Sequence, residues 1–287
     1  MASILTVLFN GVAYGFLLFV MSVGLSVTLG MMNFVNLAQA SFSMLGGYIL
    51  VTAMQSHGLP FLVCLPIVFV LVGAVSVIVE RLIFRHFYKT DDLTQVLLTI
   101  GLVFMSIAMA TYFWGGSYQR FDMPSWIIGQ KEIFGLTLET YRIFLVGFGA
   151  VMAVALIFGL ERTQLGAMVR ACVDNRRVAG ACGLNTELIF AFTFAIGGGL
   201  AGLGGALSAN LLGLDPNFPL RYLVYILIVV SVGGMGTITG TLIAALTLGI
   251  ADVLGKYYFP QFGSFIIYLL TVAFMLWRPH GLLGRGA

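Results

Sequence analysis

The chain has 287 residues, only 25 of them Asp, Glu, Lys or Arg, while 60% are hydrophobic and the mean hydropathy is +1.05. An ordinary soluble domain carries about 25% charged residues, and one of this length could not hide so much apolar surface. A soluble enzyme, a disordered chain and a nucleic-acid-binding module are excluded, and a net charge of +3 is too small to point to an anionic partner.

What remains is a polytopic membrane protein. The 36 glycines and long unbroken apolar runs predict an all-α membrane helix bundle. Small residues let membrane helices approach closely, whereas a barrel would alternate in segments of about ten residues. Cys64, Cys172 and Cys182 are isolated, and His57, His86 and His280 lie far apart. That spacing predicts buried thiols and scattered imidazoles rather than a metal site. Met1-Ala2-Ser3 lacks a basic leader and no polar mature domain follows, so the first apolar run reads as a retained span.

A span needs about 20 apolar residues. The first runs from Leu5 to Leu29, and a polar-dotted stretch from Met31 to Ser43 merges into a second span ending near Met54. Others cover Phe61–Val79, Leu93–Trp114, Ile143–Leu160, Leu188–Leu211, Leu220–Met235, Thr241–Leu254 and Gly263–Trp277. About nine spans are expected, within a range of eight to ten. Arg81, Arg85, Lys89, Arg162, Arg170, Arg176, Arg177, Arg278 and Arg285 then share one side and make up nine of the 14 basic residues. The positive-inside rule makes that side cytoplasmic, giving an N-out, C-in topology for one transmembrane domain over 1–287.

Asn33, Asn36, Gln39, Ser41 and Ser43 sit inside an apolar stretch of about 50 residues, which as one helix would be about 75 Å long. A break is required near residues 31–43. Non-helical backbone at membrane depth is tolerated where it is buried in protein or lines a cavity, so these five residues are candidates for a solute pathway. Interhelical hydrogen bonding and a plain turn between spans compete with that reading.

The external loop 115–142 carries Tyr118, Trp126 and Tyr141, with Trp114 beside it. These aromatics suit headgroup anchoring or an outside partner. The cytoplasmic loop 161–187 is too polar to span. Its Leu165, Met168, Val169 and Cys172 recur at helical spacing, Arg170, Asp174 and Arg177 mark another face, Gly183 suits a helix end, and Asn185 precedes the next run. It predicts a short amphipathic helix, lying on the membrane or docking into a soluble partner.

Small-residue stripes at Gly11/Gly15, Gly198/Gly202/Ala206 and Gly236/Gly240 predict helix packing, and Gly233–Gly240 also reads as a turn between spans. Asp252 and Lys256 predict an i, i+4 ion pair near a span end. No run of membrane-depth Asp, Glu or His suggests a proton relay.

The run Arg162-Thr-x-x-Gly166-x-x-x-Arg170-Ala-x-x-x-Asn175-x-x-x-Ala179-x-x-x-Gly183-Leu-Asn resembles the coupling loop of ABC importer permeases. Asn10-Gly11, Gly30-Met-Met-Asn33-Phe-Val-Asn36-Leu-Ala38, Met44-Leu-Gly-Gly-Tyr48, Gly233-Gly-Met-Gly-Thr-Ile-Thr-Gly240 and Arg278-Pro-x-Gly-Leu-x-Gly284 follow in order. The chain is similar to the branched-chain amino-acid permease family (LivH-type) over nearly its whole length. It departs at Asn36-Leu-Ala-Gln-Ala-Ser41, where the family commonly has a His and an acid, and this puts the usual substrate in question.

The resemblance implies a membrane subunit working with a second permease subunit, homologous or identical. Two cytoplasmic ATPase subunits and a periplasmic or extracellular solute-binding protein would complete the assembly. It assigns ATPase coupling to Arg162, Gly166, Arg170, Asn175, Ala179 and Gly183. It implies no catalytic site and no cofactor on this chain, with ATP on the partner subunits, and a bacterial inner (plasma) membrane location. The lysines agree: only Lys256 follows a glycine, and Ile250 and Tyr257 fail the rest of a Walker A loop. The expected solute is a branched-chain amino acid or a related amide, urea or organic acid. An ion-coupled secondary transporter with discontinuous helices and a passive channel are the alternatives.

Overall fold

The computed structural model describes every residue except 1, 33–35, 89, 120–122, 125, 134–135, 162, 175, 279–280 and 284–287. The helices are α1 (Ala2–Met32), α2 (Gln39–His57), α3 (Phe61–Leu82), α4 (Asp92–Trp114), α5 (Thr140–Leu156), α6 (Gln164–Asp174), α7 (Arg176–Ala181), α8 (Thr186–Leu212), α9 (Phe218–Gly233), α10 (Ile238–Tyr258) and α11 (Gly263–Trp277). Among the described residues, α1, α3, α4, α5, α8 and α10 supply six segments long and apolar enough to cross a membrane, with two shorter apolar helices over α9 and α11. The chain is a multi-pass helical membrane protein.

Helix ends follow local chemistry. Asp91 caps α4 by accepting from the Thr94 hydroxyl at 2.7 Å and the Thr94 N–H at 3.2 Å, bonds that hold its carboxyl below the usual value. Asn185 caps α8 through Leu188 N, and Pro219 opens α9, where its missing N–H costs nothing.

A small sheet corrects the all-α expectation. Strands β1 (Gln130–Ile133) and β2 (Leu136–Glu139) pair antiparallel, with Lys131 opposite Leu138. Leu136 and Leu138 alternate with Thr137 and Glu139, a period-two pattern too short to stand out beside spans of 20 residues. The loop aromatics also divide. Trp114 donates to Thr52 Oγ1 at 2.9 Å and stacks on Tyr48, and buried Tyr141 donates its hydroxyl to Leu207 O, so both turn inward rather than anchoring outside. Tyr118 and Trp126 remain exposed.

Buried α8 is the hub. Gly197 and Gly204 lie on α1, at Thr28 and Met21; Gly198 and Gly202 lie on α3, at Ser76 and Val72; Gly205 lies on the Ser43 backbone of α2. On the other flank of α1, Gly15 and Gly249 face each other, and Gly11 lies on Ile250. With little hydrophobic drive between helices in lipid, such close backbone approach supplies the packing energy. Two of the predicted stripes are therefore packing seams, but Gly236 sits in the α9–α10 turn at φ +82° rather than on a helix.

The pairings repeat in inverted sense. α1 and α8 run antiparallel at the centre; α3 covers α8 and α10 covers α1. Each set is interrupted after its first helix, at Asn36–Ala38 and at Gly213–Asn217.

Candidate functional site

The first interruption has a definite local cause. Asn36 Oδ1 accepts from Ala38 N at 3.1 Å, a side-chain turn that competes with helix, and Gln39 then restarts helical geometry with its N–H on Asn36 O at 3.4 Å. Asn36, Leu37 and Ala38 are all buried, so this is non-helical backbone inside protein.

Gln39 reaches across to α8 and donates from Nε2 to Gly197 O at 2.7 Å. It can do so because residue 24 is glycine: a Cβ there would collide with both Gly197 O and Gln39 Nε2. Asn36 Nδ2 and Gln39 Oε1 make no hydrogen bond within the protein although both side chains are fully buried. One is a donor and the other an acceptor, both neutral. Buried polar atoms of this kind are costly unless something satisfies them.

The other pathway candidates separate from this pair. Ser43 Oγ bonds its own turn at Gln39 O, 3.4 Å away. Ser41 points the other way, its hydroxyl 2.8 Å from that of Ser106 on α4, and lines an apolar cavity of about 390 Å³ between α2, α3 and α4 with Tyr48 and Trp114. Asn33 lies outside the described residues. The five do not form one row: Gln39 and Ser43 share the α8 side of α2, and Ser41 does not.

A π-helical turn (Ile157–Glu161) leads into the loop 161–187, which holds α6 and α7, two helices where one was expected. Val169, Cys172 and Ala179 turn inward; Cys172 and Ala179 join Phe190 of α8 and Tyr88. Gly183, at φ +85°, ends the segment as expected, with Leu184 N closing on Ala179 O at 3.1 Å. Of the residues assigned to coupling, Gly166 and Ala179 are buried, Ala179 beside Phe190 of α8, and Gly183 is exposed at the exit. Arg162 and Asn175 lie outside the described residues; Arg170 is placed on α6 by its backbone. Among the described residues of this segment, Gln164, Ala167, Met168, Ala171, Val178, Gly180, Ala181 and Cys182 are also exposed.

Two carboxylates fix the ends of this segment. Glu187 pairs with Arg85 Nη2 at 2.7 Å and Arg81 Nη1 at 3.2 Å, joining the start of α8 to the end of α3 and the turn that follows it. Glu161 accepts from Ile238 N at 2.9 Å, Thr239 N at 3.1 Å and Thr239 Oγ1 at 2.7 Å. Sequence reading missed both as anchors, because their partners are 77 or more positions away; the available signal was only that they bracket the polar loop. Near a third helix end, Asp252 and Lys256 pair at 2.6 Å as expected, with the carboxylate more deeply buried than an interfacial pair requires.

Residues 7–275 match the family described as branched-chain amino acid transport system / permease component. The high-affinity branched-chain amino acid transport permease LivH of Escherichia coli K12 is 27% identical, with 97% of this chain and 94% of that protein aligned. BraD of Pseudomonas aeruginosa is 24% identical over 97% and 95%, and LivM of Escherichia coli K12 is 25% identical over 92% of this chain and 67% of its own length. No solved structure matches the chain. The match runs from α1 into α11, through both interruptions and the loop between the halves, and the chain belongs to the branched-chain amino acid transport permease family.

Proposed function

We propose that the chain is the membrane-spanning permease subunit of an ABC importer, moving a small polar solute across the bacterial inner membrane. ATP is hydrolysed on two separate cytoplasmic subunits, and a periplasmic or extracellular binding protein delivers the solute. A second permease subunit completes the pathway; LivH and LivM are names of relatives that both match this chain. The observation that carries the reading is the family match over residues 7–275. The solute is a branched-chain amino acid or a related amide, urea or organic acid. The neutral Asn36 and Gln39 amides support this, since they can bond a polar group without trapping a charge.

In this reading α1–α5 and α8–α11 make nine alternating spans, N-terminus outside. The segment α6–α7 lies in the cytoplasm and docks the ATPase with Ala167, Met168, Ala171 and Val178. Co-expressed with its partners, the chain should co-purify with an ATPase and support uptake that stops when that ATPase is inactivated. Uptake by the purified chain alone on an ion gradient would refute the proposal.

Topology has an internal reporter. Cys64 and Cys172 are buried and Cys182 is exposed on the α6–α8 segment. A membrane-impermeant maleimide should label Cys182 only after permeabilisation, and Cys182→Ser should abolish the signal. Labelling of intact cells would reverse the orientation.

A further inference from the structure

The start of α10 is capped from far away. Four N–H groups at a helix start lack partners, and a threonine in the capping position ordinarily accepts from one of them. Thr237 occupies that position but makes no such bond; its hydroxyl turns back to Gly234 O at 2.9 Å and Gly233 O at 3.2 Å. The free N–H groups of Ile238 and Thr239 are taken instead by Glu161, which also receives the Thr239 hydroxyl. A carboxylate at this place is favoured by the charge-assisted bonds and by the helix dipole together.

Glu161 closes the π-helical turn from which the α6–α7 segment departs, so that segment is tied to α10. α10 is in turn tied to α1: Thr241 Oγ1 donates to Ser26 Oγ at 2.9 Å, and further along Gly249 lies on Gly15. Asn36, in the interruption, and Gln39, at the start of α2, follow α1 in the chain. The other end of the segment is held by Glu187 on Arg81 and Arg85, through more exposed pairs of smaller worth.

We infer that Glu161 is a positioning residue that carries displacement of the α6–α7 segment onto α10 and, through the Thr241–Ser26 contact, onto α1 and the solute pathway. The inference rests on the reading that this segment docks an ATPase. It assigns Glu161 to transmission rather than to docking: its carboxylate is spent on its own chain.

The test is made on the whole reconstituted importer, recording ATPase co-purification, ATP hydrolysis and solute taken up per ATP. Glu161→Ala should leave co-purification and hydrolysis near wild type and lower uptake per ATP by about tenfold, as expected for a lost cap. Glu161→Gln should recover most of the ratio, because the amide oxygen still accepts from both N–H groups. Thr239→Val should lower the ratio less than Glu161→Ala, and the double variant should be no worse than Glu161→Ala alone, since both remove one contact. Should Glu161→Ala fail to reach the membrane, Thr239→Val and Glu161→Gln decide by the same ratio. An unchanged ratio in Glu161→Ala and Thr239→Val, or loss of ATPase binding in Glu161→Ala, overturns the inference while leaving the importer reading in place. Failure of the wild-type chain to bring down an ATPase overturns the importer reading itself.

Discussion

Gln39→Leu should lower solute uptake by about tenfold or more while the protein still reaches the membrane and still binds its partners. The magnitudes separate function from folding here. The bond from Gln39 Nε2 to Gly197 O is one interhelical hydrogen bond, and such bonds inside membranes are worth about 0.6 kcal/mol on average. Its loss is small beside the packing of α2 on α8. The leucine nevertheless removes the acceptor Oε1, which the protein leaves unpaired in the interior. Asn36→Leu should behave similarly by removing the donor Nδ2. Ser43→Ala serves as control: its hydroxyl makes only a 3.4 Å bond within its own helix, and uptake should stay near wild type. Uptake assays in vesicles, normalised to immunoblotted protein, give the comparison. Wild-type rates in both amide variants would mean that the interruption is a structural turn and that solute passes elsewhere.

Gly205→Val should abolish the assembled protein. A Cβ at residue 205 would fall onto the backbone carbonyl of Ser43, and neither helix offers a flexible side chain that could yield. Overpacking that side chains can absorb costs about 1–3 kcal/mol; parting two backbones should cost more than that, enough to exhaust a marginal stability. α8 touches α1 and α3 through glycines in the same way, so a shift away from α2 would strike those neighbours next. Gly101→Ala is the matching control: nothing lies within 4 Å of a Cβ there. It should be neutral or stabilising by about 0.5–1 kcal/mol from helix entropy. Yield in the membrane fraction and monodispersity in detergent on heating would read both effects. A monodisperse Gly205→Val protein at wild-type yield would show that α2 and α8 do not approach as closely as described.

Much of the architecture was legible because it is set by local patterns. Hydropathy marks spans without reference to neighbours, since lipid rather than the rest of the fold is the solvent. The need for a break after α1 follows from helix length against bilayer thickness, and Asn36, Gln39 and the absence of an acid there were visible as an oddity within an apolar run. Gly183 and Asn185 announced the end of α7 and the start of α8 through the backbone and side-chain chemistry of those two residues alone. The family resemblance, spread over many short motifs in fixed order, led to the membership that the match over residues 7–275 shows.

What stayed hidden depends on partners distant in the chain. Periodicity alone could not say that Ser41 turns to α4 while Gln39 turns to α8, because in an all-round apolar helix no stripe distinguishes the faces. Trp114 and Tyr141 look like interfacial anchors by composition, and only the tertiary packing gives their polar atoms inward partners. Nothing in the local pattern of the polar segment showed that Gly166 and Ala179 are buried while Ala167, Met168, Ala171 and Val178 are exposed. Glu161 is the clearest instance. By itself the sequence determined a multi-pass helical membrane protein with a break and a polar segment between its halves, because local hydropathy and helix length suffice for that. Only the tertiary structure decided that Glu161 caps α10 and that Gly24 opens the way for Gln39. Hydrogen bonds and backbone approaches between positions 77 to 173 residues apart leave no periodic trace in the chain that makes them.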